Sequence, residues 1–295
     1  MQENRKIFID KVAVIGHKKK AQQIAQTVAA SSIEVTLRVP SEEEGERALQ
    51  GITNAIDREI ARWGMTESDK RAILARITPT TSVADLKDCK VVIEAVGVEF
   101  EQKQKMLEEV EKTNHQLELY IIHITILSVT EIAANSKIGD KVIGMHFLEP
   151  VPKIPVVELV RGMHTSDSTV ALAKDFASRL GKTSVEVFEY PGYITNRVIL
   201  PMINEAIYVL MEGISSAEDI DTAIKLGFNL PVGPLALADS IGLHEVLRRM
   251  DNLFHELGDI KYRPCPLLRK MVHAGRLGRA TGEGFFKYDK KEEIY

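Results

Sequence analysis

The sequence predicts a doubly wound α/β protein whose first half holds a mostly parallel sheet and whose second half is all helical. In the first half, short apolar runs rich in β-branched residues alternate with helical patterns, which is typical of parallel strands joined by crossover helices. From Ile194 to Tyr288 the apolar residues follow helical periodicity alone. We therefore predict two domains, 1–188 and 189–295.

The first predicted unit is a strand, a helix and a second strand. Residues 11–16, KVAVIG, form a short apolar run that ends in glycine, as buried parallel strands do. The stretch AQQIAQTVAAS has helical composition, and residues 33–39, IEVTLRV, form a second strand that Pro40 closes. A nucleotide-binding protein would have its phosphate loop after the first of these strands.

A long charged segment follows, SEEEGERALQGITNAIDREIARWG. Ser41 is a favourable N-cap, and the acidic residues behind it suit the positive end of a helix dipole. The length and charge of the segment predict a helical pair that protrudes from the domain, continued after Gly64 by TESDKRAILARI.

The remaining elements follow the same signals. Further strands are predicted at residues 90–96, 119–124, 141–147, 156–161 and 183–188. In the second half, segments with Ser or Pro near the start and Gly at the end predict helices at 194–213, 215–227, 233–258 and 266–275.

The helix at 194–213 is apolar on more than one side. A small helical domain cannot bury all of that surface by itself, so we expect homodimerisation through the second half. The alternative is burial against the chain's own first domain.

Composition narrows the class of protein. The 295 residues are 44% apolar and 27% charged with a net charge of −4, which fits a globular protein without a nucleic-acid-binding surface. Cys89 and Cys265 have neither disulfide nor metal-ligand spacing, so no metal site is predicted. A charged N-terminus and the lack of an apolar run of about 20 residues predict a cytoplasmic protein with no membrane span.

Several long segments carry a resemblance to a known family. IEAV, TEIAANSKIGDKVIGMHFLEPVPKIPVVELVRG, PGYITNRVILPMINEAIYVLMEG, DIDTAIKLGFNLPVGPLALADSIGL and GRLGRATGEGFFKY closely resemble the 3-hydroxyacyl-CoA dehydrogenases, the short 3-hydroxybutyryl-CoA type being the nearest form. The resemblance implies a Rossmann-type NAD-binding domain followed by a helical dimerisation domain. It also implies NAD-linked oxidation of a short-chain L-3-hydroxyacyl-CoA to the 3-oxoacyl-CoA, in fatty-acid and butanoate metabolism.

The resemblance places four catalytic residues. His146 stands at the position of the family's general base and Glu158 at that of its carboxylate partner. Asn196 matches the substrate-positioning Asn, and Thr125 takes the place of a Ser, retaining a hydroxyl on a more restricted rotamer. From the residues alone, a His at the end of an apolar strand is more typical of a core position, and Asn196 could instead satisfy backbone groups at a helix start.

The cofactor positions depart from the family pattern. Where the family has G-x-G-x-x-G, this chain has Gly16, Lys18 and Ala21, so the turn glycine is present while Lys18 occupies the place where the backbone approaches a pyrophosphate. Three successive lysines also oppose the helix dipole. The alternative is that these lysines attract phosphate.

The other family contacts to NAD are also altered. Val39 replaces the acid that binds the adenosine ribose, and Arg38 by itself does not indicate NADP when the glycine loop has changed as well. Lys103 is retained. Three further positions differ from the family residue: Val98, Glu149 and Ala280.

Two functions from different classes follow. The first is an NAD-linked 3-hydroxyacyl-CoA dehydrogenase that uses His146, Glu158, Asn196 and Thr125. The second is a non-redox homologue that binds an acyl-CoA or a protein partner without NAD. A third idea is that His146 and Glu158 transfer a proton on a CoA thioester without redox chemistry. The sequence does not select an acyl-chain length.

Overall fold

The computed structural model describes residues 8–97, 99–125 and 127–288. The chain divides into two compact units, Met1–Tyr190 and Pro191–Tyr295. Within the described residues, no helix combines the length and the apolar character that crossing a membrane requires.

The described part of the first unit holds one sheet of eight strands in the order β3-β2-β1-β4-β5-β6-β7-β8. Every neighbouring pair is parallel except β6 and β7, which run antiparallel. The strands are β1 (Lys11–Ile15), β2 (Glu34–Arg38), β3 (Ile77–Thr80), β4 (Val91–Glu94), β5 (Leu119–His123), β6 (Val142–Phe147), β7 (Val156–Arg161) and β8 (Thr183–Phe188).

Helices connect these strands and bury apolar side chains against the sheet. The helices of this unit are α1 (Lys19–Ala30), α2 (Glu42–Ile60), α3 (Glu67–Ala75), α4 (Phe100–Thr113), α5 (Val129–Ala133) and α6 (Asp167–Arg179). The predicted mostly parallel, doubly wound sheet is confirmed. The predicted N-cap is also present, because the side chain of Ser41 accepts a hydrogen bond from the backbone of Glu44.

The prediction of a protruding helical pair was wrong, because α2 and α3 pack against α1 and against each other. Ala48, Ile52 and Ile56 of α2 and Ile73 of α3 are buried in the same core as the sheet. The three apolar residues of α2 recur every four positions and therefore form a stripe along one face. The charged residues that suggested protrusion lie on the other faces.

Strand β3 was not predicted. It pairs in parallel with β2 at the edge of the sheet and contains Pro79. Proline lacks a backbone N–H and is tolerated at a sheet edge, where one side of the strand needs no partner. Because proline is rare within strands, the sequence of this segment did not predict one.

The described part of the second unit consists of helices and short turns. Its helices are α7 (Thr195–Met211), α8 (Ala217–Gly227), α9 (Pro234–Ile241), α10 (Leu243–Leu257) and α11 (Pro266–His273). The single helix predicted over 233–258 is two helices, which was an error in the prediction. Gly242 separates them with a φ of +95°, a conformation that L side chains rarely adopt.

Several large apolar side chains of the second unit are exposed in the single chain. Val198 on α7 is 62% exposed, while Leu226 on α8 and Phe228 directly after it are 73% and 72% exposed. Other residues of α7, among them Leu200, Ile203 and Ile207, are buried in the core of the unit. The helix is thus apolar on both its buried and its exposed faces.

Replacing Ile52 by alanine tests whether α2 belongs to the core. Ile52→Ala should lower the free energy of unfolding by about 3 kcal/mol, because it removes buried methyl and methylene groups and leaves a cavity. Urea denaturation followed by circular dichroism measures the change. Arg58→Ala, on the exposed side of the same helix, serves as the control and should change stability by less than about 0.5 kcal/mol. Equal effects of the two variants would contradict the burial of Ile52 in the core.

Candidate active site

The antiparallel pairing of β6 with β7 places His146 directly opposite Glu158. Both residues are almost fully buried, at 2% and 1% exposure. The Nδ1 of His146 lies 2.6 Å from Oε2 of Glu158. An ionised carboxylate can only accept a hydrogen bond, so Nδ1 carries the proton and the lone pair of the neutral ring is on Nε2. This arrangement can accept a proton at Nε2 while the carboxylate stabilises the resulting imidazolium.

A second histidine lies beside this pair. His123 ends β5, and its ring centroid is 6.3 Å from that of His146 in a stacked arrangement. Its Nδ1–H donates to the backbone oxygen of Met145 over 3.2 Å. Burial, together with the nearby charges of Lys20, His146 and Lys103, holds the pKa of His123 well below its usual value. His123 is therefore neutral at pH 7.

A buried ion pair lies at the carboxyl ends of β4 and β5. The Nζ of Lys103, on α4, donates to both carboxylate oxygens of Glu94 over 2.9 and 3.0 Å and to the backbone oxygen of His123 over 3.0 Å. Burial raises the pKa of Glu94 and lowers that of Lys103, while their mutual attraction opposes both shifts. The lysine expected to contact a cofactor is thus engaged by groups of the chain itself.

Thr125 follows β5 and is half buried. Because β5 and β6 are parallel neighbours, Thr125 lies at the same sheet edge as His146. Val98, another predicted cofactor position, lies outside the described residues.

Two predicted positions belong to the second unit. Asn196, near the start of α7, is 6% exposed, and its Oδ1 accepts from Nη1 of Arg249 over 3.4 Å. Its Nδ2 is buried and has no hydrogen-bond partner among the described residues, so this amide has an N–H to offer a ligand. Ala280 is exposed in the 3₁₀ turn Arg279–Thr281.

The loop after β1 has the geometry of a tight turn. Gly16 has a φ of +136°, and its N–H donates to the backbone oxygen of Arg38 over 2.9 Å. A Cβ at this position would lie 2.6 Å from the oxygen of Ala95 and 2.9 Å from the Cβ of Ala21. Only glycine fits here. Lys18 is the N-cap of α1, and its side chain makes no capping hydrogen bond.

Beside this loop is a cavity of about 540 Å³. Lys18 forms part of its wall, while Val39 is buried in the hydrophobic core. The cavity lies at the start of a 12-residue helix, at the carboxyl edge of the sheet, where phosphates of nucleotides bind in doubly wound proteins. Its place and size fit the adenosine and phosphate portion of a dinucleotide. The lining residues are Gly16, His17, Lys18, Arg38, Pro40, Ala95, Val96, Gly97, Gln102, Lys105, Met106 and Glu109.

A second ion pair crosses the same edge of the sheet. The Nζ of Lys20 lies 2.8 Å from Oε1 of Glu149 and donates to the backbone oxygen of Phe147 over 3.0 Å. Lys20 belongs to α1, which follows β1, whereas Phe147 ends β6. Since β4 and β5 lie between β1 and β6 in the sheet, this contact passes over the carboxyl ends of both strands.

Sequence reasoning did not identify the partners of Glu94 or Glu149. The sequence identified Glu149 only as a position that differs from the family residue, and Lys20 only as one of three successive lysines. The two side chains compensate each other's charge across the sheet. The available signal was the presence of opposite charges at two positions of the predicted cofactor region.

Both units of the chain match models of one protein family. Residues 11–190 match the family model described as 3-hydroxyacyl-CoA dehydrogenase, NAD binding domain, and residues 192–288 match that of the C-terminal domain. The chain belongs to the 3-hydroxyacyl-CoA dehydrogenase family.

Relatives in this family match the chain over nearly its full length. The probable 3-hydroxybutyryl-CoA dehydrogenase of Bacillus subtilis is 40% identical over 96% of this chain and 99% of the relative. The 3-hydroxybutyryl-CoA dehydrogenase of Bradyrhizobium diazoefficiens is 40% identical over 95% of this chain and 96% of its own. The crystal structure of (S)-3-hydroxybutyryl-CoA dehydrogenase PaaH1 from Ralstonia eutropha is 40% identical with a TM-score of 0.87, covering 96% of this chain and 100% of that one.

The lowered pKa of His123 predicts a loss of stability in acid. The unfolded chain protonates this histidine near pH 6.5, whereas the folded protein keeps it neutral until a much lower pH. Relative to His123→Asn, the wild type should therefore lose about 1.4 kcal/mol of unfolding free energy for each pH unit below about 6.5. Urea denaturation of both proteins at pH 5.5 and pH 8 measures this difference. If the unfolding free energies of wild type and His123→Asn differed by the same amount at both pH values, this would contradict the burial of a neutral ring.

Proposed function

We propose that this member of the family is a dehydrogenase of short-chain L-3-hydroxyacyl-CoA thioesters. The observation that carries the proposal is the buried pair of His146 and Glu158 at 2.6 Å, set by the β6–β7 register. Short chains are supported by the names of the relatives, which are 3-hydroxybutyryl-CoA dehydrogenases.

In this proposal His146 accepts the proton of the substrate's 3-hydroxyl at Nε2 as the alcohol becomes a ketone. A neutral imidazole suits this task near pH 7. Glu158 fixes the tautomer through Nδ1 and stabilises the imidazolium that forms. In the reverse direction the imidazolium returns the proton to the developing alkoxide.

Two further residues hold the substrate. The hydroxyl of Thr125 donates to the reacting oxygen or to the thioester carbonyl. The unpartnered Nδ2 of Asn196 donates a second hydrogen bond, which explains why a buried amide is retained there. Both orient the substrate and do not move protons.

A nicotinamide dinucleotide, when bound, supplies the acceptor for the hydride. The residues that would hold its adenosine and phosphate portion are those of the cavity beside Gly16, with the start of α1 facing the phosphates. Lys103 would act through Glu94 and His123, since it holds the ends of β4 and β5 together.

Replacing the base tests the proposal. The wild type should oxidise a reduced nicotinamide cofactor when acetoacetyl-CoA is added, and His146→Ala should lower kcat at least about 1000-fold because no group then transfers the proton. Absorbance at the wavelength of the reduced nicotinamide follows the reaction. Glu158→Gln keeps the shape of the pair but removes the charge, so it should lower kcat about 100-fold or more.

The control for this test is Glu186→Gln on β8, whose carboxylate pairs with Lys174 at the surface. Its activity should stay within about twofold of the wild type, because surface ion pairs contribute little. The proposed function would be overturned if the wild type oxidised neither NADH nor NADPH in the presence of acetoacetyl-CoA.

The second candidate function is a non-redox homologue that binds acyl-CoA. The contact between Lys20 and Glu149 favours it, because this ion pair spans the edge of the sheet where a nicotinamide ring would approach His146. Calorimetry separates the two functions. Heat with acetoacetyl-CoA but none with either reduced nicotinamide cofactor would support the non-redox homologue, whereas binding of both kinds of ligand would support the dehydrogenase.

We further propose that the protein forms a homodimer through its second unit. The exposed apolar side chains of α7 and α8 support this, since monomeric proteins rarely leave such groups in water together. An unrelated partner covering the same face would leave the purified protein monomeric.

Charges placed on this face should break the dimer. Light scattering should give the mass of two chains for the wild type and of one chain for a variant with Leu226→Glu and Phe228→Glu, because both carboxylates would lose water in the interface. Lys225→Glu, exposed on the same helix, is the control and should leave the mass unchanged. A wild type with the mass of a single chain would contradict the proposed dimer.

A further inference from the structure

Arg38 occupies the end of β2 and lines the cavity beside Gly16. Its backbone is fixed by the hydrogen bond from Gly16 and by the parallel register with Ile15. Its Nε is buried and has no hydrogen-bond partner among the described residues. A buried guanidinium N–H without a partner costs free energy, so this group is placed to receive an acceptor from a ligand.

The wall around Arg38 is cationic. Lys18 and Lys105 line the same cavity, and neither has an ion-pair partner within the described part of the chain. Glu109 is the single acidic side chain among the described lining residues. His17, also on the wall, lies 3.9 Å from Glu44. The described lining residues thus include three positive side chains and one negative one, so the cavity attracts an anionic ligand.

The end of β2 also lacks a carboxylate. In doubly wound dinucleotide-binding domains an acidic residue near this point accepts hydrogen bonds from the 2′-hydroxyl of the adenosine ribose, while an arginine accommodates a 2′-phosphate. Here Val39 is buried in the hydrophobic core and offers no acceptor. Arg38 supplies the planar donor that pairs well with a phosphate monoester.

We propose that this cavity selects an adenosine that carries a 2′-phosphate, so that the chain uses NADP(H) in preference to NAD(H). The proposal rests on the proposed function for the role of the dinucleotide as the hydride carrier. Arg38 binds the 2′-phosphate, Lys18 and Lys105 add positive charge, and the start of α1 faces the diphosphate.

Two ligands of the proposed reaction carry a phosphate on the adenosine ribose. NADP(H) carries it at the 2′ position and CoA carries it at the 3′ position. The position of the cavity favours the dinucleotide. It lies on the turn at Gly16 and the start of α1, where a diphosphate meets free backbone N–H groups. The experiment distinguishes the two sources by the position of the phosphate.

The first experiment is isothermal titration calorimetry of the full chain with nucleotide fragments, which needs no catalysis. Adenosine 2′,5′-bisphosphate should bind at least about tenfold more tightly than adenosine 5′-diphosphate, and NADPH should exceed NADH by a similar factor, because the second phosphate gains charge-assisted hydrogen bonds. Adenosine 3′,5′-bisphosphate represents the CoA fragment. Tighter binding of the 3′,5′ than of the 2′,5′ compound would overturn the proposal.

Variants of Arg38 test whether this residue determines the selectivity for the 2′-phosphate. Arg38→Gln should weaken binding of the 2′,5′-bisphosphate about tenfold and leave that of the 5′-diphosphate within about twofold. Arg38→Lys should restore part of the preference because it keeps the charge. Arg71→Gln, exposed on α3, is the matched control and should behave as the wild type. Equal weakening of both nucleotides by Arg38→Gln would overturn the proposal.

The outcomes separate this inference from the proposed function. Preferential binding of NADPH without turnover of acetoacetyl-CoA would sustain the cofactor preference and overturn the dehydrogenase. Turnover with NADH at least as efficient as with NADPH would sustain the dehydrogenase and overturn the preference. Absence of binding by every nucleotide would also overturn the preference.

Discussion

The antiparallel pairing of β6 with β7 is the constraint on which the site depends. It interrupts an otherwise parallel sheet and sets His146 against Glu158 as directly opposed residues. A shift of one residue in this register would turn the two side chains to opposite faces of the sheet. Because both residues are buried, their charge-assisted hydrogen bond is strong. Removing one of them would leave the other buried without its partner, which costs folding free energy.

Ion pairs also hold other charged side chains in place at the carboxyl ends of the strands. Lys103 satisfies Glu94 where β4 ends, and Lys20 satisfies Glu149 beyond the end of β6. Removing one member of the buried pair would leave an unpaired charge, which costs far more than a surface ion pair contributes. Substitutions in this region are therefore coupled, and the effect of a changed residue depends on its partner across the sheet.

The sequence predicts the parts of the molecule that local patterns determine. Apolar β-branched runs marked the central strands, and the family motif around His146 predicted that it pairs with Glu158, which the structure shows. Local patterns fail where distant residues decide the outcome. Pro79 obscured an edge strand whose stability comes from β2, and the ion pair of Lys20 with Glu149 joins positions far apart in the chain. At Gly242 the helical periodicity continues through a break that only the backbone conformation reveals.

The nature of the changes around the phosphate loop bears on whether they mark a lost site. A binding site that is no longer under selection would change both its shape and its charge at random. Here the turn at Gly16 keeps a conformation that no other residue fits, and the cavity beside it is open. The changes at Lys18 and Val39 share one direction, since Lys18 adds positive charge to the cavity wall and Val39 removes a carboxylate next to Arg38, which lines that wall. A common direction is what selection for a more negatively charged ligand would produce, and it therefore supports the proposed preference for a 2′-phosphate.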